Sequence, residues 1–174
     1  MRWENLAEYE FEDAIKRSGG LCVMVIGCIE KHGQHLPVGT DSLKGDKIAQ
    51  LATDIADVCL FPTTMWLGNV SGTHSIKNTN GLHGFIGIKP STIVTVLEEL
   101  CDEIARNGFK KILLLNSHGG NKVTLNHFIS ELGYKGKDYS VMWTGAYDFN
   151  NLDPKCVLEQ IRMNPEDFPM LTDE

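Results

Sequence analysis

Four short apolar runs alternate along the chain with longer segments in which apolar residues recur every three or four positions. Runs without a polar face are typical of strands that are buried on both sides of a parallel sheet. The longer segments have the apolar stripe of helices that cover such a sheet. The predicted strands are Leu21–Gly27, Val58–Phe61, Lys111–Leu115 and Tyr139–Trp143. The predicted helices are Leu6–Arg17, Leu43–Ala56, Ser91–Asn107 and Lys122–Leu132, with a weaker one over Pro154–Arg162.

Strands and helices alternate regularly, which predicts an α/β fold with a mainly parallel sheet covered by helices on both faces. No linker, repeat or low-complexity segment divides the sequence, so residues 1–174 are predicted to form a single domain. The stretch Thr63–Gly87 has no periodicity. Because a loop of this length in a compact domain is more often functional than idle, we predict that it faces the substrate.

Composition and charge narrow the range of functions. Hydrophobic residues make up 42% of the chain and charged residues 22%, and the formal net charge is −7, which is ordinary for a soluble globular protein. No basic cluster exceeds the pair Lys110–Lys111, so binding to nucleic acid is not predicted. No apolar run approaches the roughly 18 residues that a membrane span needs. Five cysteines lie far apart without a Cys-x-x-Cys motif, which predicts free thiols and a reducing, cytoplasmic location.

The segment from Glu30 to Asp41 follows the first strand and is rich in groups that bind metals. Glu30 and His32 are two residues apart, so in extended backbone their side chains lie on the same side. Two glycines and a proline between His32 and Asp41 allow the chain to turn, which can bring Asp41 back to this pair. Oxygen and nitrogen donors at the end of a strand suit zinc, manganese or iron.

A second polar segment, Asn116–Asn121, follows the third strand directly and contains His118. The carboxyl ends of parallel strands meet at one edge of a sheet, which is where open α/β sheets bind ligands. We therefore predict that Glu30, Asp41 and His118 converge on one metal site at this edge.

Ordinary structural roles are also open for several residues near this site. Asp41 and Ser42 are well suited to cap the helix that follows them. Cys28, just after the first strand, can be a soft ligand or a nucleophile, although a packed thiol is its more ordinary role. His74 and His83, in the long loop, can be catalytic groups or simply solvated or hydrogen-bonded loop residues.

The pattern Glu-x-His-Gly-x-His-Leu-Pro-x-Gly-Thr-Asp at Glu30–Asp41, together with Asn-x-His-Gly-Gly-Asn at Asn116–Asn121, resembles the creatininase (creatinine amidohydrolase) family. The similarity extends from about Leu21 to Asn121. The resemblance implies a three-layer α/β/α sandwich that binds two divalent metals, usually Zn or Mn. It also implies hydrolysis of the C–N bond of a small amide-type substrate and a homo-oligomer, often a hexamer.

The resemblance further assigns metal ligands by position. Glu30, Asp41 and His118 resemble the ligands of the first metal. His32 resembles a ligand of the second metal, with Asp41 bridging the two. A hydroxide held between two metals would be the nucleophile, because a bound metal makes water acidic enough to ionise near neutral pH.

Catalytic groups other than the metals follow from the same comparison and from the loop. The backbone N–H groups of Gly119 and Gly120 would stabilise the oxyanion that forms during amide hydrolysis. His74 and His83 in the long loop are the side-chain candidates for catalysis.

One position departs from the creatinine-hydrolysing members, which have a glutamate two residues after the matching histidine. Here that position is Gly120, and family members with glycine there usually have a downstream ligand motif that these 174 residues do not contain. We therefore predict one tight metal site, a second site that is weak or incomplete, and a domain without the C-terminal segment of the family. The alternatives are a non-catalytic metal-binding or regulatory homologue, or one half of a split enzyme.

Overall fold

Four parallel strands form one sheet in the computed structural model, which describes residues 1–70 and 84–146. The strands are β1 (Leu21–Ile26), β2 (Cys59–Leu60), β3 (Lys111–Asn116) and β4 (Ser140–Gly145). Their order across the sheet is β2-β1-β3-β4. In the register of the sheet, Ile26 lies beside Asn116, which lies beside Gly145. Three strands therefore end at one carboxyl edge, and both polar segments leave the sheet there.

Helices connect the strands and cover the sheet. The α-helices are α1 (Phe11–Arg17), α2 (Thr40–Ala52), α3 (Pro90–Arg106) and α4 (Lys122–Tyr134). Short 3-10 turns occupy Trp3–Asn5, Glu8–Glu10 and Gly119–Asn121. In the described part of the chain, no helix has the length and apolar character that crossing a membrane requires.

Successive residues of β1 point to opposite faces of the sheet, so each face has its own core. Cys22, Met24 and Ile26 pack with buried residues of α1, α3 and α4 on one face. Val23 and Val25 pack with α2 on the other face. The predicted α/β fold, with a parallel sheet and helices on both faces, is confirmed.

The first helix is shorter than predicted. α1 begins at Phe11 rather than Leu6, because Leu6 and Ala7 have extended backbone with ψ of 134° and 157°. The Glu10 carboxylate accepts a hydrogen bond from the Ala7 N–H at 2.8 Å, which caps the start of the 3-10 turn Glu8–Glu10. The ring of Trp3 packs edge-on against Phe11, with centroids 4.9 Å apart. Aromatic packing thus holds the N-terminus in turns instead of a continuous helix.

The helix that follows the first polar segment begins earlier than predicted. α2 begins at Thr40 rather than Leu43 and ends at Ala52 rather than Ala56. The Thr40 N–H donates to the carbonyl oxygen of Pro37 at 3.1 Å, so the chain turns into the helix immediately after the proline. Asp41 is consequently inside the first turn of α2.

The capping role considered for Asp41 and Ser42 is wrong. The N-cap of α2 is Gly39, and no side chain caps the helix. The Ser42 hydroxyl donates instead to the carbonyl oxygens of Cys28 at 3.2 Å and Met65 at 2.8 Å. These bonds tie the start of α2 to the segments that follow β1 and β2.

The remaining boundaries differ from the prediction by a few residues. β2 is confined to Cys59–Leu60, while β3 extends to Asn116. β4 covers Ser140–Gly145 because its pairing with β3 begins where Ser140 meets Lys111. The predicted helix Pro154–Arg162 lies outside the described residues.

Candidate metal centre

The carboxyl edge of the sheet gathers four side chains that can bind a metal. Cys28 and Glu30 follow β1, Asp41 lies in the first turn of α2, and His118 follows β3. One potential ligand atom from each of these residues lies within 4.8 Å of all the others. The structure therefore brings together the three residues predicted for the first metal and adds a thiol.

Asp41 is the central residue of this group and is 7% exposed. Its Oδ2 lies 3.0 Å from Nδ1 of His118, and its Oδ1 lies 3.1 Å from Nε2 of His32. One carboxylate thus faces two imidazoles with different oxygens. Both contacts are at hydrogen-bond distance, so Asp41 links the two imidazoles.

Glu30 lies closer to one imidazole than to the other. Its Oε1 is 3.2 Å from Nδ1 of His118 and 3.8 Å from Nε2 of His32. The Glu30 N–H donates to the carbonyl oxygen of Val38 at 2.9 Å, which closes the loop between β1 and α2. Glu30 is therefore grouped with His118 and Asp41, as the sequence predicts.

Backbone carbonyls orient both imidazoles. Nε2 of His118 lies 3.0 Å from the carbonyl oxygen of Asn69, and Nδ1 of His32 lies 3.2 Å from that of Glu30. A carbonyl oxygen can only accept, so each of these nitrogens carries a hydrogen. The opposite nitrogens face the carboxylates. A histidine that ligates a metal is usually oriented in this way, by a hydrogen bond from its other nitrogen.

Charges within the group stabilise one another. Burial lowers the pKa of His118, but hydrogen bonds to Asp41 and Asn69 and the charge of Glu30 outweigh it and raise the pKa above its usual value. Burial raises the pKa of Asp41, but hydrogen bonds from His118 and Cys28 outweigh it and lower the pKa. The centre therefore favours an ionised carboxylate beside a positive charge.

Three asparagines connect the loops around the centre. Asn121 accepts from the Asn69 N–H at 2.8 Å and donates through Nδ2 to the carbonyl oxygen of Gly27 at 3.2 Å. Asn116 accepts from the His118 N–H at 3.2 Å. Sequence reasoning used Asn116 and Asn121 only as parts of a motif and missed Asn69. A link made mainly by backbone atoms has no signature in side-chain chemistry.

For Cys28, the sequence left the roles of a soft ligand, a nucleophile and a packed thiol open. Its side chain is fully buried, and Sγ lies 3.4 Å from Oδ2 of Asp41. Burial, followed by the charges of Glu30 and Asp41, raises the pKa of the thiol, which therefore donates to Asp41. The interpretation as a packed thiol accounts for its burial but not for this contact. Its position two residues before Glu30 is the signal that points to it.

Gly119 and Gly120 form an exposed turn next to His118. A Cβ on Gly120 would lie 2.4 Å from Nε2 of His118 and 2.7 Å from the carbonyl oxygen of Asn69. A Cβ on Gly119 would have no atom within 4 Å. The sequence marks Gly120 as a position without a ligand, and the structure adds that a side chain there would collide with His118.

A cavity of about 210 Å³ adjoins the centre and is lined by Glu30, Lys31, Val70 and Phe85. It offers one cation, one carboxylate and two apolar walls. His74 and His83, the predicted catalytic side chains, lie outside the described residues. His35, which the first polar segment also contains, is exposed.

The fold and this group of carboxylates and imidazoles define an α/β protein with a candidate divalent-metal centre. Residues 4–167 match the creatininase family, described as creatinine amidohydrolase, and the chain belongs to this family. The resemblance found in the sequence is thereby confirmed.

Relatives of known activity include three different hydrolases. Creatinine amidohydrolase of Pseudomonas putida is 24% identical over 167 residues, covering 91% of this chain and 61% of that protein. The mycofactocin precursor peptide peptidase of Mycolicibacterium smegmatis is 28% identical, covering 68% of this chain and 47% of the peptidase. The 2-amino-5-formylamino-6-ribosylaminopyrimidin-4(3H)-one 5'-monophosphate deformylase of Methanocaldococcus infernus is 35% identical, covering 53% of this chain and 38% of the deformylase. This chain therefore spans less than two thirds of the length of each.

Solved structures agree with this assignment at the level of the fold. A structure described as "Creatininase Mn" has a TM-score of 0.73 and 22% identity, covering 91% of this chain and 62% of that one. A crystal structure of creatinine amidohydrolase (creatininase) has a TM-score of 0.71, the same identity of 22% and the same coverage of 91% and 62%.

Proposed function

We propose that this chain is a metal-dependent hydrolase that cleaves the C–N bond of a small amide-type substrate. The observation that carries the proposal is Asp41, which turns one carboxylate oxygen toward His118 and the other toward His32. Three relatives support the reaction class, because amidohydrolase, peptidase and deformylase all denote hydrolysis at an amide nitrogen.

The donor set fits a divalent transition metal. Glu30, Asp41 and His118 would hold the first ion, and His32 with Asp41 would hold the second. Carboxylate oxygen and imidazole nitrogen suit zinc and manganese, and iron is also compatible. A bound divalent ion would polarise a carbonyl group and make a water molecule acidic enough to act as a nucleophile.

The protein itself would position the substrate and stabilise its charge. The backbone N–H groups of Gly119 and Gly120, in the exposed turn after His118, would donate to a developing oxyanion. The cavity of about 210 Å³ would limit the substrate to a small molecule. Within the cavity, Lys31 would face an electron-rich group, and Val70 and Phe85 would exclude water from an apolar part.

The two ions would be bound unequally. The first position has Glu30, Asp41 and His118, while His32 and the shared Asp41 serve the second. Gly120 offers no ligand there, and Glu30 lies 3.8 Å from Nε2 of His32. Two donors make a weak site, because a catalytic zinc normally keeps three protein ligands. The proposal therefore includes about one tight metal ion per chain.

The chain is also proposed to form a homo-oligomer in the cytoplasm, and a hexamer is one possible assembly. Large apolar side chains on the loops around the metal centre are exposed, and they are Leu36, Val38, Met65, Trp66 and Ile86. Exposed apolar patches of this kind commonly bind a protein partner. Buried free thiols at Cys22, Cys59 and Cys101 favour a reducing compartment.

Metal analysis of purified variants tests the centre. His118→Ala should lose most of the divalent metal, because it removes one of three ligands of the tight site. His127→Ala is the matched control, since His127 lies exposed on α4. Its metal content and its turnover of amide substrates should equal those of the wild type. Full metal occupancy in His118→Ala, measured by elemental analysis, would contradict the assignment.

A second candidate function is metal binding without turnover, as in a regulatory homologue or one half of a split enzyme. It is favoured by Gly120, which leaves the second position short of a ligand in the described chain. An amidase assay on the chain, whose metal content is set by calorimetric titration with zinc, separates the two functions. One tight site without amidase activity supports this candidate, whereas turnover by the isolated chain supports the hydrolase.

A further inference from the structure

Cys28 is placed like a ligand of the proposed first metal ion. Its side chain is fully buried, and its Sγ belongs to the group of ligand atoms within 4.8 Å of one another. Two contacts hold it there. The Ser42 hydroxyl donates to the Cys28 carbonyl oxygen at 3.2 Å, and the backbone of Gly68 lies so close that an added Cβ would be 2.4 Å from Cys28 Cβ.

Three of the distances within this group are equal to or slightly shorter than the edges of a tetrahedral metal site. In a tetrahedral site with oxygen and nitrogen about 2.0–2.1 Å and sulfur about 2.3 Å from the ion, the ligand atoms lie roughly 3.3–3.6 Å from one another. Oδ2 of Asp41 is 3.4 Å from Sγ of Cys28 and 3.0 Å from Nδ1 of His118. Oε1 of Glu30 is 3.2 Å from the same nitrogen. Sulfur, oxygen and nitrogen atoms thus lie within 4.8 Å of one another, close enough for small side-chain shifts to bring them around one ion.

We propose that Cys28 is the fourth protein ligand of the first ion, which makes this site a Cys-Glu-Asp-His set. The inference rests on the metal centre of the proposed function and adds a thiolate to it. When the ion binds, the thiol proton leaves to solvent and the sulfur bonds to the metal. A thiolate ligand shifts the preference of a site toward zinc and away from manganese, which favours oxygen ligands.

A fourth ligand would also increase the difference in affinity between the first and the second metal site. A thiolate gives the first ion three anionic ligands in place of two, which strengthens its binding in a buried site. Four protein ligands are typical of zinc sites that hold the ion permanently, whereas an open position is typical of sites that bind substrate. The open position therefore belongs to the second site, beside His32.

Cobalt spectroscopy tests this ligand directly. Co²⁺ bound by a thiolate shows an intense sulfur-to-metal charge-transfer band in the near ultraviolet, besides weaker visible bands that report binding itself. The wild-type chain loaded with Co²⁺ should show both. Cys28→Ser and Cys28→Ala should keep the visible bands and lose the charge-transfer band. Cys101→Ala, which removes a buried thiol from α3, should keep both.

Metal preference gives a second measurement. Cys28→Ser should weaken the affinity for zinc on the order of tenfold, which is the lower end of the losses in metal affinity caused by mutations around a metal site. It should leave the affinity for manganese nearly unchanged. Circular dichroism establishes that the variants are folded.

The outcomes separate this inference from the proposed function. Visible cobalt bands without a charge-transfer band in the wild type would show that Cys28 only donates a hydrogen bond to Asp41. That result overturns the ligand and leaves the metal centre intact. A charge-transfer band that persists in Cys28→Ser overturns it as well. Absence of all cobalt bands in the wild type would overturn both the ligand and the centre.

Discussion

Because Gly120 has no side chain, the ring of His118 can occupy the space beside it. The ring of His118 and the carbonyl oxygen of Asn69 occupy the space that a Cβ on Gly120 would need. Gly120→Ala should therefore displace the imidazole, lower the free energy of unfolding by about 1–3 kcal/mol and weaken metal binding. Denaturant unfolding and calorimetric metal titration measure the two effects.

Gly119→Ala is the control for this substitution, because an added Cβ there would have no atom within 4 Å. It should leave both stability and metal affinity close to the wild-type values. Equal behaviour of the two alanine variants would show that the turn adapts freely and that His118 does not depend on Gly120.

For individual residues, the sequence predicts a role where the chemistry of the side chain itself indicates one. Glu30, Asp41 and His118 could be predicted because carboxylates and imidazoles are metal-binding groups and all three follow strand ends, within motifs that resemble those of one family. Asn69 is not recognisable, since it acts mainly through backbone atoms that every residue has. The sequence leaves Cys28 open as a packed thiol, a soft ligand or a nucleophile, and only the structure places its sulfur beside Asp41.

At the scale of elements, α2 carries Asp41 to the centre and packs unusually close to the sheet. A Cβ on Gly45 in α2 would lie 2.6 Å from the Ser117 hydroxyl and 2.8 Å from a methyl group of Val25. Gly45→Ala should push the helix away from the sheet, destabilise the fold by about 1–3 kcal/mol and weaken metal binding.

Another glycine within a helix provides the control. Gly133 lies in α4, and a Cβ there would have no atom within 4 Å. Gly133→Ala should stabilise the protein by about 0.5–1 kcal/mol, because alanine favours a helix over glycine. Thermal unfolding of both variants under the same conditions gives the comparison. Stabilisation by Gly45→Ala would contradict the close approach of α2.

The elements themselves were predictable where periodicity was strong and less so where tertiary contacts decide the boundary. Strands β1 and β3 can be predicted from their runs of apolar residues, and helix α3 from its apolar stripe. The first residue of α1 cannot be predicted in this way, because Trp3 packs against Phe11 where the helix begins. Contacts between residues far apart in sequence leave no local pattern.

At the scale of the whole molecule, the exposed apolar loops at the carboxyl edge bear on assembly. Trp66 is 46% exposed and Leu36 is 44% exposed, and both lie on loops beside the metal centre. Burial of these side chains between copies of the chain would stabilise an oligomer by roughly 25 cal/mol per Å² of apolar surface removed from water. Light scattering on the wild type should therefore give a mass above that of a monomer.

Trp66→Ser should shift this equilibrium toward smaller species, because it removes the largest exposed apolar side chain near the centre. Ile55→Ser is the matched control, since Ile55 is 89% exposed but lies between the end of α2 and the start of β2, away from the carboxyl edge. It should leave the mass unchanged. A monomeric wild type over a wide concentration range, or equal dissociation by both variants, would show that these loops are not an interface. Because the loops also surround the metal centre, measuring bound metal in each species tests whether association and metal binding reinforce each other.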